Sequence, residues 1–192
     1  MSTIQDSRPV GVLALQGDFE LHEQALDRQG TPHVRVRRPG ELDAVRALII
    51  PGGESTTMTR LIDRVGLRQP ILDFAESGRT ILGTCAGLIM LAREVEEDNG
   101  KHGVEPLGLL DVVVRRNGFG RQVDSFIDLV ELGDGTTAQG VFIRAPRILA
   151  TGDGVEVVAR WNEEIVGVRQ VNVVGLTFHP EAGPGSLTMW GV

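Results

Sequence analysis

Thr80-Ile81-Leu82-Gly83-Thr84-Cys85-Ala86-Gly87-Leu88 is an apolar run that ends in Gly-Thr-Cys-Ala-Gly and leads into further apolar residues. The pattern predicts a short strand, a sharp turn at Cys85 and a helix. Small residues flank Cys85, and a side chain presented at such a turn needs neighbours that tolerate crowding and unusual dihedral angles. We expect the thiol to stand exposed beside the first N–H groups of the helix, an environment that suits a nucleophile. A lone cysteine is also compatible with a small buried hydrophobic residue, so both interpretations stay open here.

The composition predicts one soluble domain that spans residues 1–192. The chain is long enough to bury a sizeable core, and its single cysteine excludes an intramolecular disulfide framework. A reducing compartment is therefore expected, with the cytoplasm as the default. No signal peptide and no membrane span of roughly 20 apolar residues is apparent. The net charge of −7, with scattered arginines, argues against nucleic acid as a partner.

The first half alternates apolar strands with helical segments, which predicts a parallel α/β sheet. Residues 10–15 form the first predicted strand, and a helix follows over about residues 19–28. Gln16 lies at the carboxyl edge of that strand, where open α/β sheets bind ligands, although a surface glutamine is more often only solvated. His22 is interpreted as a surface or packing histidine, because no metal partner stands at a usable spacing.

The second informative stretch is Pro51-Gly52-Gly53-Glu54-Ser55-Thr56, which follows the apolar residues 47–50. Paired glycines after a strand allow backbone N–H groups to face an anion, and Ser55 or Thr56 can cap the next helix. An ordinary glycine turn explains the same residues. A Walker A loop is excluded, because no Gly-Lys-Ser/Thr follows.

After a helix predicted to end near residue 99, short apolar runs separated by turns indicate a mainly β second half. Two basic segments, around Arg116 and Arg144, stand beside turns there. Arginines in such positions can bind a substrate carboxylate in a bidentate manner, or simply solvate a loop.

The last predicted strand, residues 171–178, ends in His179-Pro180-Glu181. A histidine at this strand end can serve as base to Cys85, and the nearby carboxylate can fix its tautomer. His102, in a loop with no strand end beside it, is the weaker alternative base.

Four motifs together resemble those of the class I, or triad, glutamine amidotransferases: Gly-Val-Leu-Ala-Leu-Gln-Gly from Gly11, Pro-Gly-Gly-Glu-Ser-Thr from Pro51, Gly-Thr-Cys-Ala-Gly from Gly83 and His-Pro-Glu from His179. Within that class, Pro-Gly-Gly-Glu-Ser-Thr-Thr-Met from Pro51, Arg-Asn-Gly-Phe-Gly-Arg-Gln from Arg116 and Phe-Ile-Arg-Ala-Pro from Phe142 resemble the PdxT/SNO family, the glutaminase subunits of pyridoxal 5'-phosphate synthase. The resemblance implies a flavodoxin-like three-layer α/β fold, with a mostly parallel sheet and extra β-hairpins in the second half. It also implies hydrolysis of L-glutamine, with the ammonia passed to a synthase subunit in a heteromeric complex.

The same resemblance implies the roles of individual residues. Cys85 attacks the glutamine carboxamide, His179 shuttles protons and Glu181 orients His179. No cofactor and no metal is implied. The remaining roles are substrate binding by Gly52, Gly53, Glu54, Arg116, Ile143 and Arg144, an oxyanion hole formed by the N–H groups of Gly53 and Ala86, and coupling to the synthase subunit by Gln16.

The C-terminal residues 182–192 depart from the family pattern, because Gly183-Pro184-Gly185 cannot hold the amphipathic helix that usually closes the fold. We expect this segment to be mobile. Three other functions stay open: the glutaminase of a different amidotransferase, a DJ-1-like cysteine redox sensor or chaperone, and a regulatory subunit without turnover. His179-Pro180-Glu181 argues against the sensor, which needs no such base.

Overall fold

The structure is a computed structural model that describes residues 6–96, 103–118 and 125–192. His102 and the end of the Arg116 segment, residues 119–122, lie outside the described residues. Within these ranges no helix is long and apolar enough to cross a membrane.

A nine-stranded sheet forms the centre of the molecule, in the order β2-β1-β3-β4-β12-β11-β10-β7-β8. The five strands from β2 to β12 pair in parallel, and the four from β11 to β8 continue the sheet in antiparallel pairing. These strands are β1 (Val10–Leu13), β2 (His33–Val36), β3 (Ala47–Ile50), β4 (Thr80–Thr84), β7 (Ser125–Leu132), β8 (Thr137–Ile143), β10 (Glu156–Trp161), β11 (Glu164–Gln170) and β12 (Val173–Leu176). The predicted α/β class is confirmed.

The inner parallel strands are apolar because helices cover both faces of the sheet. Strands β1, β3 and β12 are buried at every residue. One core contains buried side chains of α2 (Ser55–Arg64), α3 (Arg68–Glu76) and α4 (Ala86–Leu91). The other core contains those of α1 (Phe19–Arg28) together with the C-terminal residues.

The helix predicted from residue 88 is present, but its predicted extension through residues 92–96 is wrong. The helix α4 ends at Leu91, and Ala92–Glu96 forms strand β5. A small second sheet explains why these residues form a strand and not a helix. Strand β5 pairs in parallel with β6 (Leu110–Arg115), and β6 pairs with β9 (Arg147–Thr151). Strand β9 has no counterpart among the predicted strands.

The C-terminal segment forms no α-helix and carries one 3-10 turn, Thr188–Trp190. Leu187, Trp190 and Val192 are nevertheless buried in the core beside α1. The Gln29 side-chain oxygen also accepts hydrogen bonds from the Ser186 hydroxyl and the Leu187 N–H. This packing opposes the expected mobility, because irregular chain can bury apolar side chains as a helix does.

Candidate active site

The turn between β4 and α4 holds Cys85 in a strained backbone conformation. Its φ of 49° and ψ of −105° lie outside the regions that non-glycine residues usually adopt. The Cys85 N–H donates to the carbonyl of Leu176 on β12 over 2.8 Å, which fixes the turn to the neighbouring strand. Gly87 allows the close approach of the helix, because a Cβ there would lie 2.0 Å from the Ile50 carbonyl oxygen. The predicted strand-turn-helix is therefore present at Cys85.

Cys85 is less accessible than the sequence suggested. Only 9% of the residue is exposed, which corrects the expectation of an exposed thiol. The end of β8 covers it, and its Sγ lies 3.8 Å from the carbonyl oxygen of Ile143. The sulfur still faces a cavity of about 340 Å³, at the lower end of the range for small-ligand pockets.

His179 and Glu181 meet directly after β12. The 3-10 turn Pro180–Ala182 turns the chain so that Glu181 Oε1 lies 2.7 Å from His179 Nδ1. Both side chains are almost fully buried. The His179 N–H donates to the carbonyl of Val141 on β8 over 2.8 Å, which holds the histidine backbone in place.

Electrostatics favour the charged forms of this pair. Burial of His179 favours the neutral ring, but its hydrogen bonds with Cys85 and Glu181 outweigh burial and raise the pKa of His179 to about 10. Burial also works to raise the pKa of Glu181, yet His22 and His179 together hold that pKa well below its ordinary value. Cys85 and His179 line the same cavity, and Glu181 contacts His179 from the side away from it.

The loop after β3 packs against the histidine. A Cβ at Gly52 would lie 2.4 Å from His179 Cε1, so only glycine fits between loop and ring. The Gln16 side-chain oxygen accepts a hydrogen bond from the Glu54 N–H over 2.9 Å, which ties the end of β1 to this loop.

Glu54, rather than Ser55 or Thr56, caps α2. Its carboxylate accepts hydrogen bonds from the N–H groups of Thr56 and Thr57 and from the Thr57 hydroxyl. Burial raises the pKa of Glu54, but the hydrogen bonds from Thr57 and Thr56 outweigh burial and lower it to about 2. The Glu54 carboxylate is thus already bound within the protein.

Most of the predicted site residues line one cavity. Arg116 enters it from the end of β6, with its guanidinium nitrogens 3.3 Å from Thr56 Oγ1 and 3.2 Å from Glu54 Oε1. Arg144, with a φ of 43°, forms another part of the wall. The predicted residues around the cavity are Gln16, Gly53, Glu54, Cys85, Ala86, Arg116, Ile143, Arg144 and His179. Gly52 and Glu181 lie behind this wall, in contact with His179.

His22 is the residue that sequence reasoning missed. Of its two predicted roles, surface and packing, the surface role is wrong because the side chain is fully buried, and its contact with Glu181 was not predicted. The available signal was helical spacing, since Ala25 and Leu26 lie three and four residues later on the same buried face. In the described ranges no three His, Cys, Asp or Glu side chains are grouped to hold a metal ion.

Comparison with known proteins identifies the family of this chain. Residues 12–189 match the SNO glutamine amidotransferase family. The chain belongs to this family. A solved structure described as a glutamine amidotransferase superposes on this SNO-family chain with a TM-score of 0.84 at 45% identity, covering 90% of each chain.

Two relatives are both named pyridoxal 5'-phosphate synthase subunit PdxT. The protein from Bacillus velezensis is 49% identical over 173 residues, and the one from Geobacillus kaustophilus is 47% identical over 175 residues. Each alignment covers 90% of this SNO-family chain and 86% of the relative.

Proposed function

We propose that this chain is the glutaminase subunit of a pyridoxal 5'-phosphate synthase. It hydrolyses L-glutamine to L-glutamate and ammonia, and a synthase subunit receives the ammonia. Membership of the SNO glutamine amidotransferase family and the names of the relatives support this function. No observation favours a redox sensor, because a sensor does not need the buried contact between His179 and Glu181.

The first half-reaction forms a thioester. The Cys85 sulfur attacks the carboxamide carbon of glutamine, and the carbonyl oxygen becomes an oxyanion. His179 then gives its ring proton to the amide nitrogen, the carbon–nitrogen bond breaks and ammonia leaves. The Nδ1 atom of His179 is occupied by Glu181, so Nε2 is the nitrogen that exchanges protons with the sulfur and the substrate.

The second half-reaction restores the enzyme. A water molecule gives a proton to the now neutral His179 and attacks the thioester carbon. The carbon–sulfur bond breaks, glutamate leaves, and the sulfur again lies beside a protonated ring. Both tetrahedral intermediates need donors for their oxyanion, which we assign to the N–H groups of Gly53 and Ala86 at the cavity wall. Removal of one such donor typically lowers turnover by about a hundred- to a thousandfold.

Arg116 and Arg144 at the cavity wall are suited to bind the carboxylate of an amino-acid substrate. We assign the carboxylate of glutamine to Arg116 and Arg144, and the chain of the substrate to Ile143 and to the backbone of Gly52, Gly53 and Glu54. Gln16 couples the synthase subunit to the site, because its side chain holds the Glu54 N–H in the loop that carries Gly53. We place the reaction in the cytoplasm, where a catalytic thiol stays reduced.

The single observation that carries this proposal is that Cys85 and His179 line one cavity while His179 Nδ1 lies 2.7 Å from Glu181 Oε1. The test is glutamate formation by the wild type and by Cys85→Ala, each in complex with the synthase subunit. We expect loss of turnover in the variant with an unchanged melting temperature, because alanine fits the same site. Cys85 is the only cysteine, so mass spectrometry of the wild type should detect one glutamyl adduct at this position. Substantial turnover by Cys85→Ala would show that another mechanism operates.

A further inference from the structure

The His22 side chain makes buried polar contacts next to the candidate active site. The side chain is fully buried on the inner face of α1. Its Nε2 atom lies 3.1 Å from Thr84 Oγ1 and 3.2 Å from Glu181 Oε1. Its Nδ1 atom has no hydrogen-bond partner among the described residues. Within the described residues, Nε2 therefore makes all the polar contacts of the ring.

The contact with Glu181 determines where the ring carries its proton. An ionised carboxylate only accepts hydrogen bonds, so its approach to Nε2 is favourable when Nε2 bears a hydrogen. The Thr84 hydroxyl can donate or accept and fits either tautomer. We therefore place the ring hydrogen on Nε2, which lies 3.2 Å from Glu181 Oε1, the oxygen that also contacts His179 Nδ1.

Few other groups hold the Glu181 carboxylate. Among the described residues its Oε2 atom has no hydrogen-bond partner. Arg28, also on α1, binds the Glu181 carbonyl oxygen over 3.1 Å and so fixes the backbone rather than the carboxylate. Strand β8 also packs against this turn and carries no titratable side chain. The donors to the carboxylate are thus His179 from its own turn and His22 from a different element.

We propose that His22 is a positioning residue for Glu181, whose carboxylate it fixes through Nε2–H so that Oε1 stays directed at His179 Nδ1. This inference rests on the proposed function, in which Glu181 orients the catalytic histidine. His22 does not touch the substrate cavity, and its effect on catalysis passes through Glu181.

The test compares two substitutions of different chemistry in the complex with the synthase subunit. His22→Leu removes the donor, whereas the amide nitrogen of His22→Gln can occupy the place of Nε2. We expect His22→Leu to lower kcat about ten- to a hundredfold with little change in KM, and His22→Gln to stay within a few-fold of the wild type. Loss of the donor also raises the pKa of Glu181, so the acid limb of kcat/KM should move to higher pH in His22→Leu only.

A matched control separates positioning from packing. Leu26→Ala removes a fully buried side chain from the same face of α1, but this apolar side chain offers no hydrogen-bond donor to Glu181. We expect it to lower the melting temperature but to leave the acid limb in place. Nitrogen-15 NMR of the wild-type chain gives a second readout, in which His22 should carry its proton on Nε2.

Three results would overturn the role of His22. These are an unchanged kcat and acid limb in His22→Leu, an equal loss in His22→Gln and His22→Leu, or a proton on Nδ1 alone. If Cys85→Ala is inactive while His22→Leu behaves as the wild type, only the inference about His22 fails. If Cys85→Ala retains turnover, the proposed function itself is wrong.

Discussion

His179 owes its basicity to its two neighbours. Burial alone would keep the ring neutral at pH 7, and the contacts with Cys85 and Glu181 reverse that preference. A pKa of about 10 means that the ring holds its proton at neutral pH and can protonate the leaving ammonia. The proton is therefore in place before the substrate binds.

Removal of the sulfur should lower the pKa of His179. In Cys85→Ala the ring keeps its burial and its contact with Glu181 but loses the favourable hydrogen bond with Cys85, so its titration midpoint should fall below that of the wild type. NMR titration of the histidine rings measures this shift, with His179→Asn to assign the resonance. An unchanged midpoint for His179 would contradict the coupling between the two side chains.

Arg116 is predicted to act on substrate affinity. Two polar groups, Thr56 Oγ1 and Glu54 Oε1, hold its guanidinium at the cavity wall. A hydrogen bond to a charged group contributes about 1.5–3 kcal/mol, so Arg116→Met should raise KM for glutamine about ten- to a hundredfold and change kcat less. Arg115→Met is the matched control, because Arg115 pairs with Glu96 away from the cavity. Equal KM values in both variants would remove Arg116 from the substrate site.

An element could be predicted from the sequence where the intrinsic preferences of its residues match the structure that surrounds it. Strands β1, β3 and β4 are apolar runs that end at turns, and the motifs at their carboxyl ends meet because parallel strands share an edge. Strand β5 was not predictable, because Ala92–Glu96 contains good helix formers and becomes a strand only through pairing with β6. The contact of His22 with Glu181 was equally inaccessible, since it joins two elements that lie far apart in the chain.

The turn between β11 and β12 contains a strained residue with no visible role in the site. Val171 adopts a φ of 55° and is 89% exposed. The left-handed region costs a non-glycine residue about 1–2 kcal/mol, and a β-branched side chain is especially unsuited to it. Asparagine tolerates this conformation, so Val171→Asn should raise the free energy of unfolding by about 1 kcal/mol without changing turnover.

The hairpin between β10 and β11 offers the reciprocal control. Asn162 adopts a similar φ of 45° and is also exposed. Asn162→Val should therefore lower the free energy of unfolding by a similar amount, and urea denaturation measures both variants. If Val171→Asn gives no gain while Asn162→Val costs stability, the turn at Val171 is not strained in solution.

At the scale of the whole molecule, α1 connects the candidate active site to the C-terminal segment. His22 contacts Glu181, Arg28 binds the backbone carbonyls of Glu181 and Gly183, and Gln29 binds Ser186 and Leu187. The C-terminal segment therefore packs on the helix that also holds the acid of the site. We therefore expect the stability of the C-terminal segment and the position of Glu181 to change together.

Trp190 provides the last prediction. Its ring is buried and lies edge-on to Phe178, with the ring centroids 6.2 Å apart. A buried aromatic replaced by alanine usually costs about 3–5 kcal/mol, which lowers the melting temperature of a chain of this size by about 6–20 °C. Met189 is exposed on the same turn, so Met189→Ala should change the melting temperature little. Binding of the synthase subunit should raise the melting temperature of every variant and increase turnover, because a partner that binds only the folded chain stabilises it by mass action. Equal melting temperatures for Trp190→Ala and Met189→Ala, with or without the partner, would instead support a mobile C-terminal segment that contributes nothing to the fold.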